Sequence, residues 1–240
     1  MGENKANMAD LAALRQMSYS LLSAVFLGNW RDTADLIGDT ASEVLVVSGW
    51  AADMSFYPAL IEFLRAINDP DSGSLSEVEN KYQRLFGPTP STNPVPLSET
   101  SYLVPGAEET GWILASVERH YASAGIQSTS ASGNVPDHIA VELEFVAFLC
   151  GCEADAWSAD DFKEARRMQD RQRRFLDQHM SKWVPILLRE VAAHGDKINL
   201  LFNNAGIGGG GSFMNPEDRV DWERTFNVCW YGVYYGCRAF

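Results

Sequence analysis

The sequence predicts an all-α protein, a bundle of helices, and three observations carry that prediction. Apolar residues recur at spacings of three and four in stretch after stretch between residues 8 and 193. One stretch, Asn134 to Leu149, is apolar over most of its circumference, as suits a helix in the middle of a bundle. Strand-like sequence is confined to Lys197-Ile-Asn-Leu-Leu-Phe202, and one parallel strand without partners cannot build a sheet.

In chain order, Leu11, Leu14, Met17, Leu21, Leu22, Val25 and Phe26 predict an amphipathic helix over 8–28, stopped by Gly28-Asn29. A less regular helix is expected over 30–47, and another over 58–67 with Leu60, Ile61, Phe63, Leu64 and Ile67 on its apolar side. Residues 68–74 read as a loop, after which Ser76 and Glu79 form a capping box for a helix ending at Phe86. Gly87 to Pro96 holds four prolines and must be extended. It suits a polyproline ligand or, better given its aromatic and apolar flanks, an ordered loop laid across the bundle.

Residues 108–124 predict a helix carrying Trp112, Ile113, Ala115, Val117 and Tyr121, and 125–133 a polar, Ser-rich connection. The central helix starts with Pro136 in its first turn and Asp137 as cap. Ile139, Leu143, Val146 and Cys150 form its buried stripe, widened by Val141, Phe145, Phe148 and Leu149. A highly charged helix over 160–178 follows, carrying Phe162, Met168 and Phe175, with Arg166-Arg167 and Arg173-Arg174 on a solvated face. A last helix, 179–193, carries Trp183, Ile186, Leu187 and Val191 and is bent or restarted near Pro185.

With 32 acidic against 19 basic residues the net charge is −13, which argues against nucleic-acid or anionic-membrane partners. The acidity suits a positively charged partner and equally serves solubility. No apolar run reaches transmembrane length, and the N-terminus lacks a secretory signal pattern. Cys150-Gly-Cys152 has no second pair at zinc spacing, so buried thiols are expected ahead of metal or redox use. No metal and no cofactor are expected, and the cysteine usage points to a reducing cytoplasm.

The functional lead is the polar start of the central helix, Pro136-Asp137-His138. Asp137 can accept from a guanidinium, and His138 can donate or change charge near neutral pH. Either residue can equally serve only to cap the helix or to order the loop.

Four segments, in order, carry a resemblance: Tyr82-x-x-Leu85-Phe86-Gly87-Pro88, then Pro96-Leu97-Ser98-Glu99-Thr100-Ser101-Tyr102, then Pro136-Asp137-His138 with Glu142-Leu143, then Phe175-x-x-x-His179-x-x-x-Trp183-x-Pro185. Over about residues 10–194 the chain resembles the TorD/DmsD/NarJ family of cytoplasmic molybdoenzyme maturation chaperones. The resemblance implies a TorD-like helical bundle over 1–194. Such a bundle binds the twin-arginine signal peptide of a molybdoenzyme precursor and assists cofactor insertion before export. It implies no catalysis, and a monomer or helix-swapped dimer. It also places peptide binding at Asp137, His138 and Pro136, with Glu99 and Tyr102 on the adjoining loop. A further C-terminal helix usual in that family is expected to be missing.

After His194 the composition changes, and residues 195–240 resemble part of a short-chain dehydrogenase. Asn203-Asn-Ala-Gly206 is like that family's turn after its fourth strand, and Trp222-x-x-x-Phe226-x-Val228 and Gly232-Val233 are like the helix that follows. Gly206-x-Gly208-x-x-Gly211 fits a dinucleotide fingerprint formally, but no βαβ unit surrounds it and no acidic ribose partner follows. The catalytic Ser and Y-x-x-x-K are absent, so the alternative function, an NAD(P)-dependent dehydrogenase relative, would be incomplete and inactive. The expected organisation is therefore a helical chaperone domain joined to a short α/β-derived segment of strand, glycine loop and helix. The join would be a recombination, a gene fusion or an assembly error.

Overall fold

The computed structural model describes residues 2–28, 58, 61, 75–87, 94–103, 107–126 and 135–193. The helices expected over 30–47 and 58–67 lie outside these residues, except for Pro58 and Ile61, which are helical. The loop at 68–74, residues 88–93 and 127–134, and the dehydrogenase-like segment 195–240 lie outside them too.

Apart from Pro58 and Ile61, the described helical residues form seven helices: α1 (Gly2–Leu27), α2 (Leu75–Phe86), α3 (Thr100–Leu103), α4 (Ala107–Ser123), α5 (Ile139–Ser158), α6 (Phe162–Gln178) and α7 (Met180–Ala193). Among the described residues the β-type pairing is one isolated antiparallel bridge between Ser98 and His138. The fold is all-α, as expected. Among the described residues no helix is long and apolar enough to cross a membrane.

Helix α1 lies along α5 in the most extensive helix–helix packing described, and α6 and α7 follow on from α5. Small residues let α1 approach closely. Ala12, Ser18 and Ser23 are buried on α1, and a Cβ on Gly151 of α5 would sit 2.9 Å from Gln16 Nε2. The Ser23 hydroxyl donates to the Ala140 carbonyl across the interface at 2.8 Å. The stop at Gly28 is as read: its φ of 73° is left-handed, and a Cβ there would meet the Tyr82 ring at 2.6 Å. Only glycine meets both demands. Tyr82 fastens α2 to this end of α1 by donating to the Phe26 carbonyl at 2.6 Å.

Helix α5 is the centre. Ile139, Leu143, Phe145, Val146, Leu149 and Cys150 are all buried, whereas Phe148 turns outward at 41% exposure. Phe175 of α6 sits in an aromatic cluster against it, 4.8 Å from Phe145 and 6.0 Å from Tyr121 between ring centroids. On α4 Val117 and Tyr121 face this core, but Trp112 stands 68% exposed.

Four boundaries differ from expectation. Helix α2 begins at Leu75, so Ser76 lies inside the first turn and cannot be its N-cap. Helix α5 begins at Ile139, with His138 rather than Asp137 as cap and Pro136 in the turn ahead of the helix rather than in its first turn, because the bridge to Ser98 holds residue 138 extended. On α6 the cap is Asp161, which accepts from the Glu164 N–H at 3.0 Å, while Asp160 sits in the preceding turn at φ 61°. Helix α7 runs through Pro185, and the restart comes instead at His179, whose φ of −122° and ψ of −87° leave the helical region.

Candidate functional site

Residues 94–103 form a strap across the N-terminal end of α5. Pro94 and Pro96 are exposed and Val95 is buried; the prolines spend no backbone donor, and the Val95 N–H bonds the Leu85 carbonyl at 2.8 Å. Two backbone bonds then stitch the strap to α5, Ile139 N–H to the Leu97 carbonyl at 2.8 Å and Glu99 N–H to the Asp137 carbonyl at 3.0 Å.

Asp137 is fully buried. One carboxylate oxygen, Oδ2, accepts from both the Thr100 N–H (2.9 Å) and the Thr100 hydroxyl (2.7 Å). Asp137 therefore holds the first turn of α3, on the strap, instead of capping its own helix. His138 takes the cap: its Nδ1 accepts from the Ala140 N–H at 3.2 Å. Burial lowers the proton affinity of His138, against the pull of Asp137. Pro136 is anchored through its carbonyl, which accepts from the Tyr121 hydroxyl at 2.7 Å.

Beneath the strap lies a buried polar cluster drawn from four elements. Glu99 comes from the strap, Glu142 from α5, His179 from the α6–α7 break and Trp183 from α7; each is at most 3% exposed. His179 Nδ1 is 2.8 Å from Glu99 Oε2, and its Nε2 is 3.2 Å from the Ser116 hydroxyl. The Trp183 indole N–H donates to Glu142 Oε2 at 3.1 Å. Burial first, and then the charge of Glu99, push the Glu142 carboxyl well above the usual carboxylate range. Protonated, Glu142 can share its hydrogen with Glu99.

Tyr102 closes the outer side, stacked on Trp183 with ring centroids 5.6 Å apart. Its hydroxyl donates to the Pro96 carbonyl at 2.8 Å and lies 3.2 Å from the Glu190 carboxylate. Burial and Glu190 together raise its pKa.

The five residues expected at the binding region, Glu99, Tyr102, Pro136, Asp137 and His138, thus meet at one seam. Their exposure divides them: Asp137 and Glu99 are sealed inside, while Pro136, His138 and Tyr102 are half-buried. Sequence reasoning read Glu142, His179 and Trp183 only as letters of the resembling segments and placed none of them at the binding region, and it gave no role to Ser116 or Glu190. A usable signal existed for Glu142, since a carboxylate on a helix that is apolar nearly all round must be paired or neutral.

Two further polar features lie outside the seam, the first of them reaching the buried cluster through Ser116. A shallow depression of about 390 Å³ is lined by Ser116, Arg119, His120, Ser123, Arg171, Arg174 and Gln178; its three guanidiniums suit an anion. Between α1, α5 and α6, the buried Glu153 carboxylate accepts from Arg15 Nη2 (2.8 Å), Gln172 (2.8 Å), Gln169 (2.7 Å) and Trp157 (3.2 Å).

The selenate reductase assembly chaperone protein of Thauera selenatis is 35% identical to this chain over 81 residues, covering 34% of this chain and 41% of the relative. The chlorate reductase assembly chaperone protein of Ideonella dechloratans is 34% identical over 81 residues, with the same coverage. The chain thus matches less than half the length of these curated relatives. No solved structure matches it. Residues 51–189, more than half of the chain, match the nitrate reductase delta subunit family. That stretch contains the strap, the whole of α5 and α6, and the buried cluster beneath the seam. The chain belongs to the nitrate reductase delta subunit family.

Proposed function

We propose that this protein is a reductase assembly chaperone, a binding protein rather than an enzyme. Its client is a molybdoenzyme precursor, whose twin-arginine signal peptide it holds while cofactor is inserted before export. The observation that carries this reading is the meeting of Glu99, Tyr102, Pro136, Asp137 and His138 at one seam, in a chain similar to two reductase assembly chaperones.

The burial pattern supports different tasks for these residues within the seam. Asp137 and Glu99 have no exposed surface to offer a guanidinium, so they position the strap. The peptide meets the outer layer instead: the Tyr102 ring, His138 Nε2 and the exposed Glu190 carboxylate beside the Tyr102 hydroxyl. A carboxylate next to an aromatic face suits arginine, which pairs with the one and stacks on the other. The depression bearing Arg119, Arg171 and Arg174 would repel the same peptide.

Calorimetric titration with twin-arginine signal peptides tests the reading, using wild type, Glu190→Gln and His138→Ala. Expected is saturable binding that is lost when both peptide arginines become alanine, and weakened about tenfold in Glu190→Gln. Absence of binding by a protein with native circular dichroism would refute the signal-peptide reading. Binding untouched by either variant would move the peptide away from the seam.

A further inference from the structure

We infer that Glu99, Glu142 and His179 form a binding site for one divalent transition-metal ion, zinc in preference, which clasps the strap to α5 and to the α6–α7 break. One ligand atom from each of the three side chains, His179 nitrogen included, can be chosen so that all lie within 4.8 Å of one another. A cation bonded to carboxylate oxygen and imidazole nitrogen at about 2.0–2.2 Å bridges such a group with small side-chain movement.

The second observation is an orphan atom. Glu142 is fully buried, and its Oε1 has no hydrogen-bond donor, while Oε2 is held by the Trp183 indole. The oxygen without a donor belongs to the side chain that faces Glu99 and His179, and a proton shared with Glu99 is the other way to fill that gap. The outer partners are those a metal site needs. Trp183 orients one carboxylate, and the Ser116 hydroxyl sits 3.2 Å from His179 Nε2. A hydroxyl can donate or accept. With a metal on Nδ1, the imidazole would keep its hydrogen on Nε2 and donate it to Ser116. Without one, Nδ1 carries the hydrogen to Glu99 and Ser116 donates to Nε2.

Charge favours the ion. Two carboxylates brought together away from water need either a proton between them or a cation. A dication with two glutamates and a neutral imidazole has no net charge. Histidine with carboxylates suits zinc and its first-row neighbours, and the affinity order places zinc above manganese and ferrous iron. The ligands are scattered along the chain, which is why no ligand spacing shows in the sequence.

The test uses the full chain, stripped with chelator, loaded with zinc sulfate, desalted and assayed for metal by mass spectrometry. Parallel titrations with cobalt chloride read the visible d–d absorption. Expected are one zinc per chain, a cobalt band that saturates at one equivalent, and a melting temperature raised by zinc. Glu142→Gln is the informative variant. Its amide can still accept from Trp183 and donate to Glu99, so the fold should stand, with zinc affinity reduced at least tenfold and no zinc-induced rise in melting temperature. A zinc content near zero with no cobalt band would overturn the proposal and leave a proton as the shared occupant. Zinc binding of equal affinity in Glu142→Gln would overturn it as well, since the ion would then sit elsewhere.

Discussion

Replacing Arg15 with methionine should cost about 3 kcal/mol of folding stability. The pair it breaks is buried: the Arg15 side chain is 18% exposed and that of Glu153 not at all, with Nη2 and Oε2 2.8 Å apart. Burial works to lower the Arg15 pKa, yet the neighbouring Cys150, Glu153 and Tyr19 outweigh it and hold the guanidinium above its ordinary value. Removing one member of a buried pair typically costs about 3–5 kcal/mol, because the survivor stays charged and uncompensated. The lower end applies here. Glu153 would keep three neutral donors, Gln169, Gln172 and Trp157, and a methionine would still cover the apolar ground under the arginine stem. The lost bond from Arg15 Nη1 to Gln172 Oε1, at 3.0 Å, adds to the cost. Urea denaturation of wild type, Arg15→Met, Glu153→Gln and the double variant closes the cycle. Arg15→Met should lower the midpoint without changing the slope, and Glu153→Gln on top of it should restore more than half of the loss. A single-variant cost below about 1 kcal/mol, or a double variant no better than Arg15→Met, would refute the reasoning that the uncompensated charge dominates.

Three other outcomes are expected. Asp137→Ala strips both Thr100 bonds from a buried carboxylate and should cost about 2–4 kcal/mol, while Thr100→Ala, which loses one of them, should cost about 1 kcal/mol; equal urea midpoints for the two variants would contradict this. His138 has a folded pKa below its free value, so the stability tied to its cap is present above about pH 6.5 and lost as pH falls through the folded value. His138→Asn caps without titrating, so its melting temperature should fall less than that of wild type between pH 7.5 and 5, and parallel curves would count against the cap. Cys150 is buried with its thiol pushed up to about 12; in native protein at pH 7.5 maleimide should label the half-buried Cys152 before Cys150, and peptide mapping showing Cys150 labelled as fast would place it nearer the surface than described.

The helices were legible because their apolar spacing is a local property, and α5 most of all. Ile139, Leu143, Val146 and Cys150 are buried as their spacing implied. Starts were harder to read. The beginning of α5 is set by the pairing of residue 138 with Ser98, a contact that no window around residue 138 contains. Asp137 looked like a cap because it stands just ahead of a helix, but its carboxylate serves the strap, 37 residues earlier in the chain. The site was legible in part. Its five expected residues do converge, yet the sequence is silent on depth, and it is depth that separates Asp137 and Glu99 from Tyr102 and His138. Glu142, His179 and Trp183 could be read as motif letters, but their mutual contacts exist only once α5 and α7 pack.

The link between Glu99 and His179 also sets an order of events during synthesis. The two residues are 80 positions apart, so at a ribosomal pace of about 5–20 residues per second the strap waits on the order of 4–16 seconds for its partner. Arg15 waits longer still for Glu153, 138 positions on. The strap cannot be held to the α6–α7 break until nearly all of the described chain has emerged. A half-made copy would thus present no finished seam, and any client-binding ability would switch on late and all together. Contacts of such long range also slow folding, so refolding from urea should lag well behind that of helical bundles closed by short turns.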